Sequence, residues 1–448
     1  MTTAKRKIGF AGNSALVALR QVAGVAIGFA ATVVTARYLG AAGQGTYALA
    51  LLLPTLLATC MTCGIDAATV FYTGKDAYKP ATVYKTNLVS AFALSALSLL
   101  IGCLVVLLFG RELFAGATRL QLLLALAAVP QLLFGTLLGG ILQGMQDFKR
   151  LAGAAFASQL LGLALLLAAT AWLHWGVAGA IAAYAGGQCA LFLLVLAAIR
   201  RVYGLRMKDG SVDRKLMKQS FIYGGKEHVS NMLTFLNYRA DLFMIAFFIG
   251  SSAAGVYTIT VAVAEQLWFV SRAVSLVLFP RISAAGGDAE RNLLTSAVGR
   301  IVLALTLAFA VVTAVLAKPF IGFAFGHEFA AGGLALQLLL PGIVAGSLER
   351  VLSHDISGRG KPEISMYVSM VTVVCNLALN VLLVPKYGIA GAAAATSTAY
   401  IVSFAVKIVI FRRLTGLRYH EFMVVQREDW QKAAGFIRSR VRPALNRS

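Results

Sequence analysis

The feature that most constrains this chain is a succession of long apolar runs. A helix needs about 20 mostly apolar residues to cross the hydrocarbon core of a bilayer. Twelve stretches meet that length, at roughly 13–38, 46–73, 86–110, 120–145, 152–173, 176–199, 219–249, 253–280, 295–317, 331–352, 364–385 and 388–411. The connections between them are short, and none is long enough for a separate soluble domain. Pro54 and Pro341 interrupt two of the runs, which membrane helices tolerate where neighbours satisfy the freed backbone groups. The first run is too long for a signal-peptide core and is expected to be retained.

Composition agrees. Of 448 residues, 59% are hydrophobic and only 13% charged, with a mean hydropathy of +0.79. A soluble enzyme of this make-up could not cover its surface with polar groups. The charge is lopsided: 40 Lys+Arg against 18 Asp+Glu, a net of +22. In a chain this apolar the surplus reads as topology rather than nucleic-acid binding. The odd-numbered connections carry five of the cations: Arg37, Arg111, Arg119, Lys318 and Lys386. About four more sit inside runs (Arg20, Lys226, Arg239 and Arg272), and the remainder fall on the other side, including Lys5, Arg6, Lys7 and the cluster from Arg200 to Lys218. That side is expected to be cytoplasmic, with both termini inside. Beyond the last run, Phe422, Val425, Trp430, Ala433, Ile437 and Val441 recur at helical spacing among Arg427, Lys432, Arg438 and Arg442. Such a basic amphipathic stretch suits a helix lying on the inner leaflet.

Catalytic and metal signatures are absent from the sequence. Cys60, Cys63, Cys103, Cys189 and Cys375 all fall inside runs, and the Cys60–Cys63 pair has no second pair or nearby histidine to complete a metal or redox site. Buried thiols acting as small apolar groups are the better reading. His174, His228, His327, His354 and His420 show no metal-binding spacing. A membrane polymerase or ligase would present its catalytic residues on a sizeable external loop, and here those connections are only a few residues long apart from 318–330. No cofactor is expected, and the chain does not read as an enzyme.

The two halves repeat. Tyr38-Leu39-Gly40 with Gly45 and Tyr47 aligns with Phe248-Ile249-Gly250 with Gly255 and Tyr257. Gly176-Val177-Ala178-Gly179-Ala180 aligns with Gly388-Ile389-Ala390-Gly391-Ala392 at nearly the same offset. Six runs return the chain to its starting side, so the halves are expected to be parallel repeats with a substrate site between them, a transporter architecture. The expected fold is an all-α polytopic membrane protein, its helices in two six-helix bundles around a central cavity. The organisation is 1–200 for the first bundle, 201–218 for a basic cytoplasmic linker, 219–412 for the second bundle and 413–448 for a basic tail.

Polar residues inside the runs mark the candidate site, because ionisable groups in a membrane usually face a bundle interior or a water-filled cavity. Thr55, Thr59, Thr62, Asp66, Thr69 and Thr73 form one helical stripe; Glu227, Asn231, Thr234, Asn237 or Tyr238, and Asp241 form another; Thr258, Glu265 and Arg272 share a face of the eighth run. The cations Arg20, Lys226, Arg239 and Arg272 suit an anionic headgroup such as phosphate or pyrophosphate. Asp66, Glu227, Asp241 and Glu265 are the candidate coupling or gating acids. Arg239 and Glu265, at similar depths, are expected to pair. Thr59, Thr62, Asn231 and Asn237 would line the cavity.

These residues carry a resemblance. Asn237-Tyr238-Arg239-Ala240-Asp241-Leu242-Phe243, then Gly255, Tyr257, Ala262, Glu265 and Trp268, and finally Leu278-Phe279-Pro280-Arg281, resemble bacterial Wzx-type oligosaccharide flippases. These belong to the multidrug/oligosaccharidyl-lipid/polysaccharide (MOP) exporter superfamily, whose architecture is MATE-like. Arg37-Tyr38-Leu39-Gly40, Gly45-Thr46-Tyr47-Ala48-Leu49 and Gly64-Ile65-Asp66 are similar too. The resemblance implies movement of an undecaprenyl-pyrophosphate-linked glycan between leaflets of the bacterial inner membrane, by alternating access. The product would serve lipopolysaccharide or exopolysaccharide biosynthesis, with a polymerase and chain-length machinery as partners and with membrane lipids around the protein. Coupling to H⁺, Na⁺ or membrane potential is open. A cation-coupled multidrug exporter is the alternative within the same architecture, and a polysaccharide polymerase or ligase the alternative outside it.

Overall fold

The computed structural model describes residues 10–114, 116–269, 271 and 287–426. Among these, thirteen α-helices and short helical turns make up the chain, with no strand. They are α1 (Phe10–Met61), α2 (Ile65–Gly74), α3 (Pro80–Leu113), α4 (Arg119–Leu126), α5 (Val129–Gly144), α6 (Phe148–Leu167), α7 (Gly176–Tyr203), α8 (Arg214–Phe248), α9 (Ser251–Gln266), α10 (Asp288–Phe325), α11 (Gly332–Gly358), α12 (Pro362–Thr415) and α13 (Tyr419–Met423).

Eight helical stretches among the described residues are long and apolar enough to cross a membrane. The difference from twelve has physical causes. α1 and α12 are too long for one crossing at about 1.5 Å per residue, and each holds two expected runs divided by a glycine: Gly40 (φ 65, ψ −178) and Gly388 (φ 60, ψ −137). At Gly388 the chain doubles back, so that a side chain at Gly391 would strike the Leu383 carbonyl. α8 carries too many charges to score as apolar, and α9 is a little short.

The termini of the helices follow from local chemistry. Pro80 and Pro362 occupy first-turn positions, where the missing N–H costs nothing. Thr118 and Gln121 form a reciprocal cap at the start of α4. Asp213 accepts from the Lys215 and Leu216 amides, 2.8 and 3.0 Å away, to start α8. Gly204 and Gly416 end α7 and α12 in the left-handed region.

Two compact units emerge: an N-terminal unit of Met1–Ile259 with Gly322–Phe329, and a C-terminal unit of Thr260–Ile321 with Ala330–Ser448. In the first, Val83, Tyr84, Leu137, Leu138, Ile141, Val195, Ile199 and Leu216 join α3, α5, α7 and the start of α8. In the second, Val302, Leu348, Val351, Leu352, Ile408, Phe411 and Phe422 join α10, α11, α12 and α13. The periphery is apolar, with Leu100 68% exposed on α3 and Val315 74% exposed on α10. A large exposed apolar surface of this kind belongs against lipid. Lipid is as apolar as leucine, so packing and hydrogen bonds, not water exclusion, hold such helices together.

The segment 201–218 is fastened to α3: Lys85 donates to the Gly210 carbonyl at 2.9 Å, the Asp213 amide donates to Thr86 at 3.1 Å, and Gly210 lies so close to Ala81 that no side chain would fit. Phe422, expected on the leaflet-facing side of the tail, is instead fully buried and edge-on to Phe411. The tail beyond it, including Trp430, Ile437 and the basic residues from Arg427 on, lies outside the described residues.

Candidate functional site

The aligned repeat glycines share a backbone conformation, and one aligned pair meets. Gly40 and Gly250, and Gly176 and Gly388, all have positive φ, the conformation that glycine reaches without strain. Gly45 and Gly255 pack on each other within the N-terminal unit. A Cβ on Gly45 would sit 1.7 Å from the Ser251 carbonyl oxygen, and one on Gly255 would sit 1.9 Å from that of Ala41. The contact is reciprocal at the repeat offset, since 41 and 45 are the repeat mates of 251 and 255. This crossing of two α-helices through bare backbone places α1 directly against α9. Further along, Gly64, in the left-handed region, meets Gly224 of α8 in the same way.

The turn at Gly40 is also clasped to the end of α10. Arg37 donates from Nε to the Ala324 carbonyl at 2.9 Å and from Nη2 to that of Phe323, carbonyls of the last helical turn. Glu328 accepts the Ala41 amide at 2.9 Å, where the helix resumes after Gly40. Each charge thus sits at the helix end whose dipole favours it.

The threonine stripe does not run as one face. Thr55, Thr59 and Thr62 donate back to Leu51, Thr55 and Thr59 carbonyls at 2.7–3.0 Å. The helix then breaks at 62–64, which resets the phase. Thr69 and Thr73 turn inward and are buried, Thr69 accepting from Asn87 Nδ2 at 2.8 Å. Asp66 is half-buried in the first turn of α2, where the helix dipole favours its charge.

Asp241 is buried, 3% exposed, and accepts from the Tyr257 hydroxyl at 2.6 Å and from the Leu242 amide. Asn231 and Arg239 are exposed and Asn237 half-buried on α8. Thr59, Thr62 and Glu265 are half-buried. Arg239 lies in the N-terminal unit and Glu265 in the C-terminal one. The side chains of Arg20, Lys226 and Glu227, and all of Arg272, lie outside the described residues.

The C-terminal unit holds charges that sequence reasoning passed over. Glu349 of α11 pairs with Lys407 of α12, a lysine 3% exposed. Ser353 and Ser403 also donate to Glu349 Oε1, at 3.2 and 3.4 Å, and Lys407 reaches Ser353 Oγ at 2.6 Å. Arg350 lies over the Trp268 ring, 4.0 Å from its centroid, and Trp268 Nε1 donates to the Ile343 carbonyl at 2.9 Å. A turn further on, fully buried Asp355 accepts from Thr295 at 2.7 Å and from Arg359 Nε at 2.5 Å. The signal was present: Lys407 interrupts an apolar run at 404–411, and Glu349 falls inside another. At the helix ends Asp147 accepts from Arg150 and from Tyr203. Burial opposes its charge, yet these donors and the Arg150 cation hold its carboxyl below the usual carboxylate range. The five cysteines are free thiols, and no cluster of metal-binding side chains occurs among the described residues.

Comparison with known proteins places the fold. A family model described as polysaccharide biosynthesis protein matches residues 10–285, and a MatE model matches 228–382. The probable low-salt glycan biosynthesis flippase Agl15 of Haloferax volcanii is 25% identical over 226 residues, 49% of this chain and 47% of that protein. The chain thus spans about half the length of such curated relatives. Two solved structures align almost throughout. The lipid II flippase MurJ in an inward closed conformation aligns with a TM-score of 0.74 at 17% identity, covering 91% of this chain and 89% of that one. An inward-facing multidrug resistance MATE family transporter aligns with a TM-score of 0.72 at 17% identity, covering 86% and 94%. These relatives and neighbours are transporters and flippases, not enzymes. The chain belongs to the polysaccharide biosynthesis protein family.

Proposed function

We propose that this protein flips a lipid-linked oligosaccharide, carried on undecaprenyl pyrophosphate, from the cytoplasmic to the outer leaflet of a bacterial inner membrane. The family match over residues 10–285 carries this reading, and the glycan-flippase relative supports it. In this reading both termini are cytoplasmic, the product feeds cell-surface polysaccharide, and a polymerase with chain-length machinery follows it. The two six-helix repeats rock about a central cavity while the polyprenyl tail stays in lipid. The headgroup needs such a path, because moving an ion unaided into hydrocarbon costs many kcal/mol. Arg20, Lys226, Arg239 and Arg272 would hold its phosphates, Asp66, Glu227, Asp241 and Glu265 would couple or gate, and Thr59, Thr62, Asn231 and Asn237 would line the path.

The test is reconstitution in proteoliposomes with a fluorescent lipid-linked oligosaccharide, reading protection of the label from a membrane-impermeant quencher. Flipping by the wild type, and its loss in normally folded Ala variants at the four cation positions, is expected. Tolerance of Ala at all four would overturn the site. A second reading, a cation-coupled drug exporter, is favoured by the MatE match. Extrusion of cationic dyes without glycan flipping would establish it.

A further inference from the structure

We propose that the segment between α7 and α8, residues 200–218, is a fixed binding surface for the headgroups of anionic phospholipids in the inner leaflet. The segment is cytoplasmic in the flippase reading, and its assignment to that leaflet rests on this reading. It carries seven Lys and Arg against two Asp. Arg201, Arg206, Lys208, Arg214, Lys215 and Lys218 are all exposed, and none of them forms an ion pair among the described residues. The acids are turned to the backbone instead. Asp209 accepts the Arg206 amide at 3.0 Å, and Asp213 accepts the Lys215 and Leu216 amides. The nearby Asp147 accepts from Tyr203 Oη at 2.7 Å and pairs with Arg150.

Charge alone would suit any polyanion, and the apolar residues narrow the choice. Val202, Met207 and Val212 are interspersed among the cations, each at least 40% exposed. Bases mixed with exposed apolar groups suit the boundary between headgroups and acyl chains, where the cations meet phosphate and the apolar side chains leave water. A free phosphate ion would give those apolar groups no cover.

The surface is held on α3 at several points. Arg200 Nε donates to Tyr84 Oη at 3.3 Å, Lys85 Nζ to the Gly210 carbonyl, and the Asp213 amide to Thr86 Oγ1. A Cβ on Gly210 would sit 2.2 Å from the Ala81 carbonyl oxygen, and Leu216 is buried in the core of the N-terminal unit. A backbone fastened in this way presents its cations without the ordering cost that a flexible basic strand meets when it binds. Lipid preference should therefore depend on the fastening as well as on the charge.

The test uses full-length protein in phosphatidylcholine vesicles doped with spin-labelled phosphatidylglycerol or, in parallel, spin-labelled phosphatidylcholine. Electron paramagnetic resonance reads the fraction of each label held at the protein. Wild type should prefer phosphatidylglycerol several-fold, and the preference should fall as salt shortens the Debye length from about 10 Å to about 3 Å. R201Q/R206Q/K208Q/R214Q/K215Q should cut it about twofold or more, and R427Q/K432Q/R438Q/R440Q/R442Q, with the same charge loss in the tail, should cut it less. A preference unchanged in the first variant, as an acidic protein partner would leave it, overturns the proposal. So does a preference that only the tail variant removes. G210V keeps every cation but drives the segment off Ala81, and should lower the preference; an unchanged value overturns the fixed surface. If G210V does not fold, T86V removes one fastening at constant charge and carries the same arm. Sidedness is read separately, by labelling S211C with a membrane-impermeant maleimide over the wild-type background. Labelling from outside intact cells overturns the orientation and the inner-leaflet assignment. A wild type that flips nothing overturns the transport reading and leaves the lipid preference standing.

Discussion

In the N-terminal unit the tightest helix crossings are made by groups without charge. Gly45 meets Gly255, Gly64 meets Gly224, threonines donate to their own helix, and Asp241 is answered by a tyrosine hydroxyl. The C-terminal unit has a bare-backbone crossing at Gly342 and adds ions to it: Glu349 with Lys407, Asp355 with Arg359, and Arg350 on Trp268. The two strategies fail differently. A backbone contact has no slack, because nothing can move aside without moving a helix. An ion pair has no tolerance for losing one partner, yet loses little when both go together.

The sharpest break is therefore G45V in the N-terminal unit. Its side chain would have to displace the Ser251 carbonyl, so a loss of about 3 kcal/mol or more is expected. G255V should match it, because the contact is reciprocal. Yield of monodisperse protein and the thermal midpoint in detergent measure both. A G45V protein as stable as wild type would show that the crossing is not tight.

In the C-terminal unit K407M leaves the half-buried Glu349 without its cation, for an expected cost of about 3 kcal/mol. E349Q/K407M should recover most of that loss. The same thermal assay decides, and a double variant as unstable as K407M would mean that the pair is not the unit of stability.

The smallest effect is at the cap of α6. D147N removes a carboxylate held by Arg150 and Tyr203, at about 1 kcal/mol. Since the Asp147 carboxyl is held below its unfolded value, its contribution is present above the ordinary carboxylate range and fades as pH falls through the lowered value. Wild type and D147N should therefore converge in stability toward acid pH and differ near neutrality. A constant difference across pH would assign the effect to packing instead.

Much of the fold was legible because a bilayer makes unusually strict demands on a sequence. Run length near 20 residues follows from bilayer thickness, and each of the twelve runs is mostly helical where it is described. The repeat was legible as well, since Gly40, Gly176, Gly250 and Gly388 all take positive φ, a conformation that favours glycine. The site was less so. Depth along a helix can be counted, but the helix break at 62–64 rotated Thr69 and Thr73 away from Thr55 and Thr59, and no periodicity reports such a break in advance. Lys407 was passed over because a single cation in an apolar run looks like a boundary when its partner lies 58 residues away.

What the sequence determined by itself was class: an all-helical membrane protein with an internal repeat and a resemblance to flippases. Those properties rest on composition, run length and backbone conformation, all of which are local. The tertiary structure alone decided which polar groups meet: Gly45 on Gly255, Arg37 on the end of α10, Glu349 on Lys407. The reason is that in a low-dielectric interior a charge or a bare backbone acquires its energy from its partner, and partners are set by how helices pack.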